Sequence, residues 1–106
     1  LHEPVELIEY YREKNLPLLQ EMLTRVGIEW IPPPYGVFGA FRVPGVDTME
    51  MIDTIGKSHG LLAVPGCMFD SGLEEWLRIG WSIDPESFAK AVIVLEKVLL
   101  TAINIT

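Results

Sequence analysis

Two short apolar runs, separated by a loop, occupy residues 61–81, and they limit the folds open to this chain. Residues 61–64 (Leu-Leu-Ala-Val) read as a buried strand, which Pro65-Gly66 stops. The loop that follows is rich in small and acidic residues. A second strand then alternates with period two. Leu77, Ile79 and Trp81 fall on one face, and Trp76, Arg78 and Gly80 on the other. The first is a core face. The second holds a permanent cation beside a residue without a side chain. A guanidinium presents a planar fork of donors that matches a carboxylate or a phosphate. On residue chemistry alone Arg78 fits three roles: a surface cation, an internal salt-bridge partner, or an anchor for an anionic ligand.

The rest of the chain supplies the elements around this pair. Residues 3–26 read as a helix, because Val5, Ile8, Leu16, Leu19, Leu23 and Val26 recur at spacings near three and four. Pro17 removes one donor and crowds the carbonyl of Glu13, which predicts a kink or a fresh start capped by Asn15. Gly27 predicts the end of the helix, and residues 28–31 a short edge strand. Pro32-Pro33-Pro34 is too stiff and donor-poor for a helix interior or a central strand, so it reads as a rigid connector. Residues 36–43 are expected to form the central strand, with Val37, Phe38, Phe41 and Val43 supplying both faces.

Asp47 and Glu50 then resemble a capping box for a helix whose buried stripe is Met49, Ile52 and Ile55, and whose C-terminal cap is Gly60. The last helix carries the clearest signals. Asp84 caps it, Pro85 takes its first position, and Ile83 is placed to pack on Phe88. Phe88, Ala91, Leu95, Val98, Leu99 and Ala102 line its inner face, while Glu86 and Lys90 pair on the outside. The order helix, strand, strand, helix, strand, strand, helix predicts a two-layer α+β domain. A mainly antiparallel sheet is covered by helices on one face, with a long helix at each end.

Composition removes several function classes. A length of 106 residues suits a single domain, 1–106, with one hydrophobic core. The net charge of −7 argues against nucleic acid as a partner, since phosphate binding needs clustered cations. No apolar run approaches the roughly 18 residues of a membrane span. His2 and His59 are far apart and Cys67 has no second sulfur near it, which leaves no metal-binding pattern. His59 with Lys57 suits a helix C-terminus instead. A lone cysteine allows no internal disulfide and fits a reducing compartment; beside Pro65-Gly66 it reads as a small apolar loop residue, with a nucleophilic thiol as the alternative. Apolar residues make up 49% of the chain, with a mean hydropathy of +0.28, so apolar surface is expected where a missing partner would sit. Leu1-His2-Glu3-Pro4 has neither an initiator methionine nor a signal-peptide pattern, and it reads as the interior of a longer protein.

The segment Val64-Pro65-Gly66-x-x-Phe69-x-x-Gly72, followed by Leu77-Arg78-Ile79 and a long closing helix, resembles the C-terminal end of class I/II aminotransferases. These are pyridoxal-phosphate enzymes of fold type I. Pro34-Tyr35-Gly36-Val37-Phe38 is similar to the family's Pro-x-Gly-Gly-x-Phe approach to a strand, with Val37 in place of a glycine. The resemblance implies that Arg78 binds the α-carboxylate of an amino-acid substrate. It implies a small domain whose large, cofactor-binding domain is absent from this chain, and a whole enzyme that moves an amino group from an amino acid to a 2-oxo acid. A cytoplasmic homodimer using pyridoxal 5'-phosphate goes with it. The family holds that cofactor through a lysine in a Ser-x-x-Lys-like setting, and Lys14, Lys57, Lys90 and Lys97 lack that setting. This segment alone is therefore expected to be inactive, with no catalytic or cofactor-binding residue of its own. Lyases, decarboxylases and synthases of the same fold type remain an alternative, as does a non-catalytic α+β binding module.

Overall fold

The computed structural model describes residues 5–34, 36, 38–55, 62–68 and 70–105. Its elements are α1 (Val5–Val26), β1 (Phe38–Arg42), α2 (Thr48–Ile55), β2 (Leu62–Pro65), a one-turn 3-10 helix (Gly66–Met68), β3 (Trp76–Gly80) and α3 (Pro85–Ile105). The sheet order is β1-β3-β2, and β3 runs antiparallel to both neighbours. β1 and β2 are linked through α2 and leave between them the gap that β3 fills, a split βαβ arrangement. The expected two-layer α+β domain is what forms, with an antiparallel sheet and a long helix at each end.

Alternation along the strands decides which face is covered. Leu77 and Ile79 on β3 and Phe41 on β1 are buried, and Trp81 follows them into the core. Against them α3 brings Phe88, Val92, Leu95 and Leu99, and α1 brings Leu16, Leu19, Met22 and Leu23. The two long helices pack on one another, and α2 packs on α3 and β2. Both long helices have defined ends. At the C-terminus of α1, Gly27 takes a φ of 89°. The Ile28 N–H then donates to the Leu23 carbonyl at 2.9 Å and the Gly27 N–H to the Thr24 carbonyl at 3.2 Å, a Schellman closure. At the N-terminus of α3 the Ser87 N–H donates to the Asp84 carboxylate at 2.9 Å. That amide, followed by the Ser87 side chain, holds the Asp84 carboxyl below its ordinary range.

Several local expectations are corrected. Among the described residues the sheet has three strands, because residues 28–31 do not join it. Trp30 folds inward instead, edge-on to Phe41 and Trp81 with ring centroids 6.2 and 6.3 Å away. Gly39 makes room for this, since a Cβ there would lie 3.0 Å from the Trp30 ring and 3.1 Å from Pro33. The strand expected to be central is an edge strand, and β3 takes the centre. Asn15 caps nothing. It lies buried inside a helix assigned without interruption from Val5 to Val26. Pro17 and Glu13 are both exposed, so the carbonyl that loses its donor is on a side of α1 that water reaches. The inner face of α1 also includes Met22, while Val5 is exposed.

The expectations for His2, Tyr35, Val37, Lys57, His59, Gly60, Leu61, Phe69 and the Ile55 side chain fall outside the described residues. Among the described residues no helix is long and apolar enough to cross a membrane. Nor does any group of three or more His, Cys, Asp or Glu among them converge as a metal site would.

Leu95 is fully buried at the middle of α3. Leu95→Ala is expected to cost about 2–5 kcal/mol in urea denaturation, whereas Asp84→Ala costs only a cap. A neutral Leu95→Ala would show that α3 presents a different face to the sheet.

Candidate functional site

The helices cover one face of the sheet and leave the other open. Arg78 stands at the middle of β3 on that open face, with Ala40 opposite it on β1 and Val64 opposite it on β2. Phe38 pairs with Gly80 and Arg42 with Trp76. The Arg78 guanidinium carbon lies 4.9 Å from the centroid of the Phe38 ring, so the aromatic face orients the cation. Phe38 is 55% exposed and Trp76 38%, unusually open for large rings flanking a charge. Arg78 also borders a groove of about 340 Å³ whose other walls are Ala40, Gly66, Leu73 and Trp76. A planar cation beside an apolar groove suits a ligand with a carboxylate on a largely apolar body.

The loop before β3 fixes the far wall of this groove. Gly66 is buried, and a Cβ on it would lie 2.1 Å from the Leu73 carbonyl oxygen and 2.8 Å from the Trp76 Cβ. The Pro65-Gly66 pair thus does more than end β2. It lets the Leu73–Trp76 backbone pass against β2 at a distance no side chain permits. The Trp76 N–H donates back to the Leu73 carbonyl at 3.0 Å.

A second set of bonds holds the start of β3. Thr48 is fully buried at the first turn of α2. Its hydroxyl donates to the Trp76 carbonyl at 2.6 Å, with the Glu74 carbonyl also in reach at 3.1 Å. Its N–H donates to the Glu74 carbonyl at 2.9 Å, and the Val43 N–H to the Glu75 carbonyl at 2.7 Å. The Glu75 carboxylate accepts from the Gly45 N–H at 2.6 Å and from Arg42 Nε at 2.8 Å. The Gly45 amide, then the Arg42 guanidinium, hold its carboxyl below the ordinary glutamate range. Arg42, the second cation of this face, is therefore tied to a carboxylate at the rim. At the N-terminus of α2 the Asp47 carboxylate accepts from the Met49 N–H at 3.0 Å, a cap made at the second helical position.

Arg78 thus lies where strand alternation puts it, on the face opposite Leu77 and Ile79. Thr48, Glu75 and the close approach at Gly66 are absent from the sequence reading. A threonine after a capping aspartate signals only a helix start, and one glutamate in an acidic loop is indistinguishable from its neighbours. Lys14 and Lys97 are exposed on the helices, and Lys90 pairs with Glu86 at 3.9 Å on the surface of α3. Cys67 packs its sulfur 3.6 Å from that of Met49.

No protein-family model matches the chain. A curated relative, the aminotransferase tdiD of Emericella nidulans, is 32% identical over 62 residues, which are 54% of this chain and 14% of that protein. Among solved structures, LysN, the α-aminoadipate aminotransferase of Thermus thermophilus, superposes with a TM-score of 0.75 at 24% identity, over 92% of this chain and 26% of that one. It was solved with N-(5'-phosphopyridoxyl)-L-leucine. A multiple substrate aminotransferase of Thermococcus profundus gives 0.73 at 21% identity, over 92% and 26%. The aromatic aminotransferase of Pyrococcus horikoshii gives 0.66 at 20%, over 89% and 26%. The resemblance drawn from the sequence stands: the relatives named here are aminotransferases, and the fold is that of about a quarter of the solved ones. The chain spans about one seventh of the curated relative.

Gly66→Ala is expected to lower the unfolding midpoint, because the crowding atom is backbone and cannot swing aside; an unchanged midpoint would refute the close approach. Glu75 makes a pH prediction as well. Its folded-state pKa is depressed, so its contribution is present above the unfolded-state value and lost as the pH falls through the folded one. Unfolding midpoints measured from pH 7 to 3 are expected to fall less steeply on the acid side in Glu75→Gln.

Proposed function

We propose that this chain is the C-terminal small domain, residues 1–106, of a class I/II aminotransferase that uses pyridoxal 5'-phosphate. In this reading Arg78 binds the α-carboxylate of the amino-acid substrate. The observation that carries it is the position of Arg78: the middle of the central strand, on the face the helices leave open, steered by Phe38 and bordering an apolar groove. The aminotransferase neighbours, covered to about a quarter of their length, support a domain that works with a larger remainder.

The described residues do not fit the cofactor itself. Lys14, Lys90 and Lys97 stand on helix surfaces, and the groove beside Arg78 is walled by Ala40, Gly66, Leu73 and Trp76, with no cluster of phosphate donors. The cofactor is therefore assigned to the remainder of the enzyme, and no catalytic step is assigned to this chain. What Arg78 contributes is orientation. Every amino-acid substrate carries an α-carboxylate, and a two-pronged guanidinium fixes both its position and its plane. Holding that group sets which bond at Cα is presented for reaction, an effect on rate as well as on affinity. An anchor on a separate small domain also lets substrate binding draw the domains together.

The open face with Phe38 and Trp76 gives this domain a surface to place against its remainder. We assign the complete protein to the cytoplasm as a homodimer, acting on amino acids and 2-oxo acids.

In the full-length enzyme Arg78→Ala is expected to weaken α-carboxylate substrates on the order of thirty- to several-thousand-fold, the effect of truncating one partner of a desolvated charge pair. Arg78→Lys recovers only part of this, because an ammonium keeps the charge and loses the fork. Cofactor absorbance is expected to survive both changes. The deciding comparison sets an amino acid against its amine analogue lacking the carboxylate. A preference unchanged in Arg78→Ala would make Arg78 an ordinary surface arginine.

A further inference from the structure

One buried polar cluster joins α1 to the end of the sheet where Phe38 meets Arg78. Arg12 and Asn15 are three residues apart and so share a face of α1. Arg12 is half-buried. It donates from Nη1 to the Gly36 carbonyl at 3.2 Å and from Nη2 to the Pro33 carbonyl. The same Gly36 carbonyl accepts from the indole Nε1 of Trp81 at 3.3 Å. Asn15, with no exposed surface, donates from Nδ2 to the carbonyls of Trp81 at 2.7 Å and Ile83 at 2.8 Å. One turn of α1 thus grips the chain two residues before β1 begins and again directly after β3 ends.

Those two points flank a single cross-strand pair. Phe38 opens β1, Gly80 closes β3, and the two are directly opposed. Phe38 in turn carries the Arg78 guanidinium against its ring. Any shift of Gly36 relative to Trp81 therefore moves the ring that orients the cation. The choice of polar groups bears on this. A leucine or methionine would pack against the Pro33 and Gly36 backbone, yet it would tie neither carbonyl, whereas the guanidinium fork holds both. Asn15 serves its two carbonyls through Nδ2, and its own Oδ1 is buried with no hydrogen-bond partner among the described residues.

We infer that Arg12, with Asn15, is a positioning residue for Arg78: through Gly36 and Trp81 it sets the register of Phe38 and hence the direction of the guanidinium relative to α1. The inference rests on the reading of Arg78 as the carboxylate anchor.

The test uses the full-length enzyme with Arg12→Met, which keeps the stem and removes the fork, and Arg12→Lys, which keeps the charge. For each, kcat and KM are measured with an amino acid and with its amine analogue, alongside the urea midpoint. Arg12→Met is expected to reduce the acid-over-amine ratio of kcat/KM about tenfold, through a raised KM for the acid, as a small misplacement of an orienting group does. Arg12→Lys is expected to retain part of the ratio, and it supplies the comparison should Arg12→Met fail to accumulate. A merely structural role lowers both substrates alike with the folded fraction and leaves the ratio unmoved. An unmoved ratio in an enzyme where Arg78→Ala abolishes the preference overturns the positioning role alone. If Arg78→Ala itself leaves the preference intact, the carboxylate reading falls and this inference falls with it.

Discussion

Everything in this domain leans on the double pairing of β3. All five of its residues pair with β1 and four, Leu77 to Gly80, pair with β2, so among the described residues neither edge strand meets anything but β3 in the sheet. The same five residues divide by alternation. Leu77 and Ile79 reach into the helices, and Arg78 emerges from the opposite face between Trp76 and Gly80. A slip of one residue would drive the guanidinium into an apolar core and expel the two aliphatic side chains. The burial that stabilises the sheet is thus also what aims the arginine. Fold stability and the direction of the cation cannot be tuned separately.

The bonds around β3 read as devices for holding that register. Thr48 and Glu75 fix its beginning to α2 and to the turn at Gly45, and Asn15 fixes its exit to α1. Each of the three acts on a backbone carbonyl or amide, which does not depend on the side chain that residue carries. This leaves the open face free to vary in character while its frame stays put.

How much of this could be read from the residues follows from the range of each signal. The C-terminus of α1 and the N-terminus of α3 were legible, because Gly27, Asp84 and Pro85 act on their immediate neighbours. The two faces of β3 were legible through period two, and so was most of the inner face of α3. What failed was long-range. Residues 28–31 have the composition of a strand, but Trp30 gains more by lying across Gly39 against Phe41 and Trp81 than by extending an edge. Residues 36–43 look central because both faces are apolar; the sheet instead gives the centre to the strand that can pair twice. Asn15 resembles a cap because asparagine beside a proline commonly is one. Its partners, Trp81 and Ile83, lie 66 and 68 residues away and leave no local mark.

The two outer edges of the sheet carry a further consequence. β1 is five residues long and follows three consecutive prolines, and β2 is four residues long and ends in Pro65. Among the described residues a foreign strand approaching either edge finds only a short row of backbone groups, and at β2 that row ends in a residue with no N–H to offer. With so much apolar surface in so short a chain, an open three-stranded sheet invites extension by another copy of itself. The prolines that stiffen the path into β1 and stop β2 keep the sheet finite, and so guard the domain against aggregation whenever its apolar face is bare.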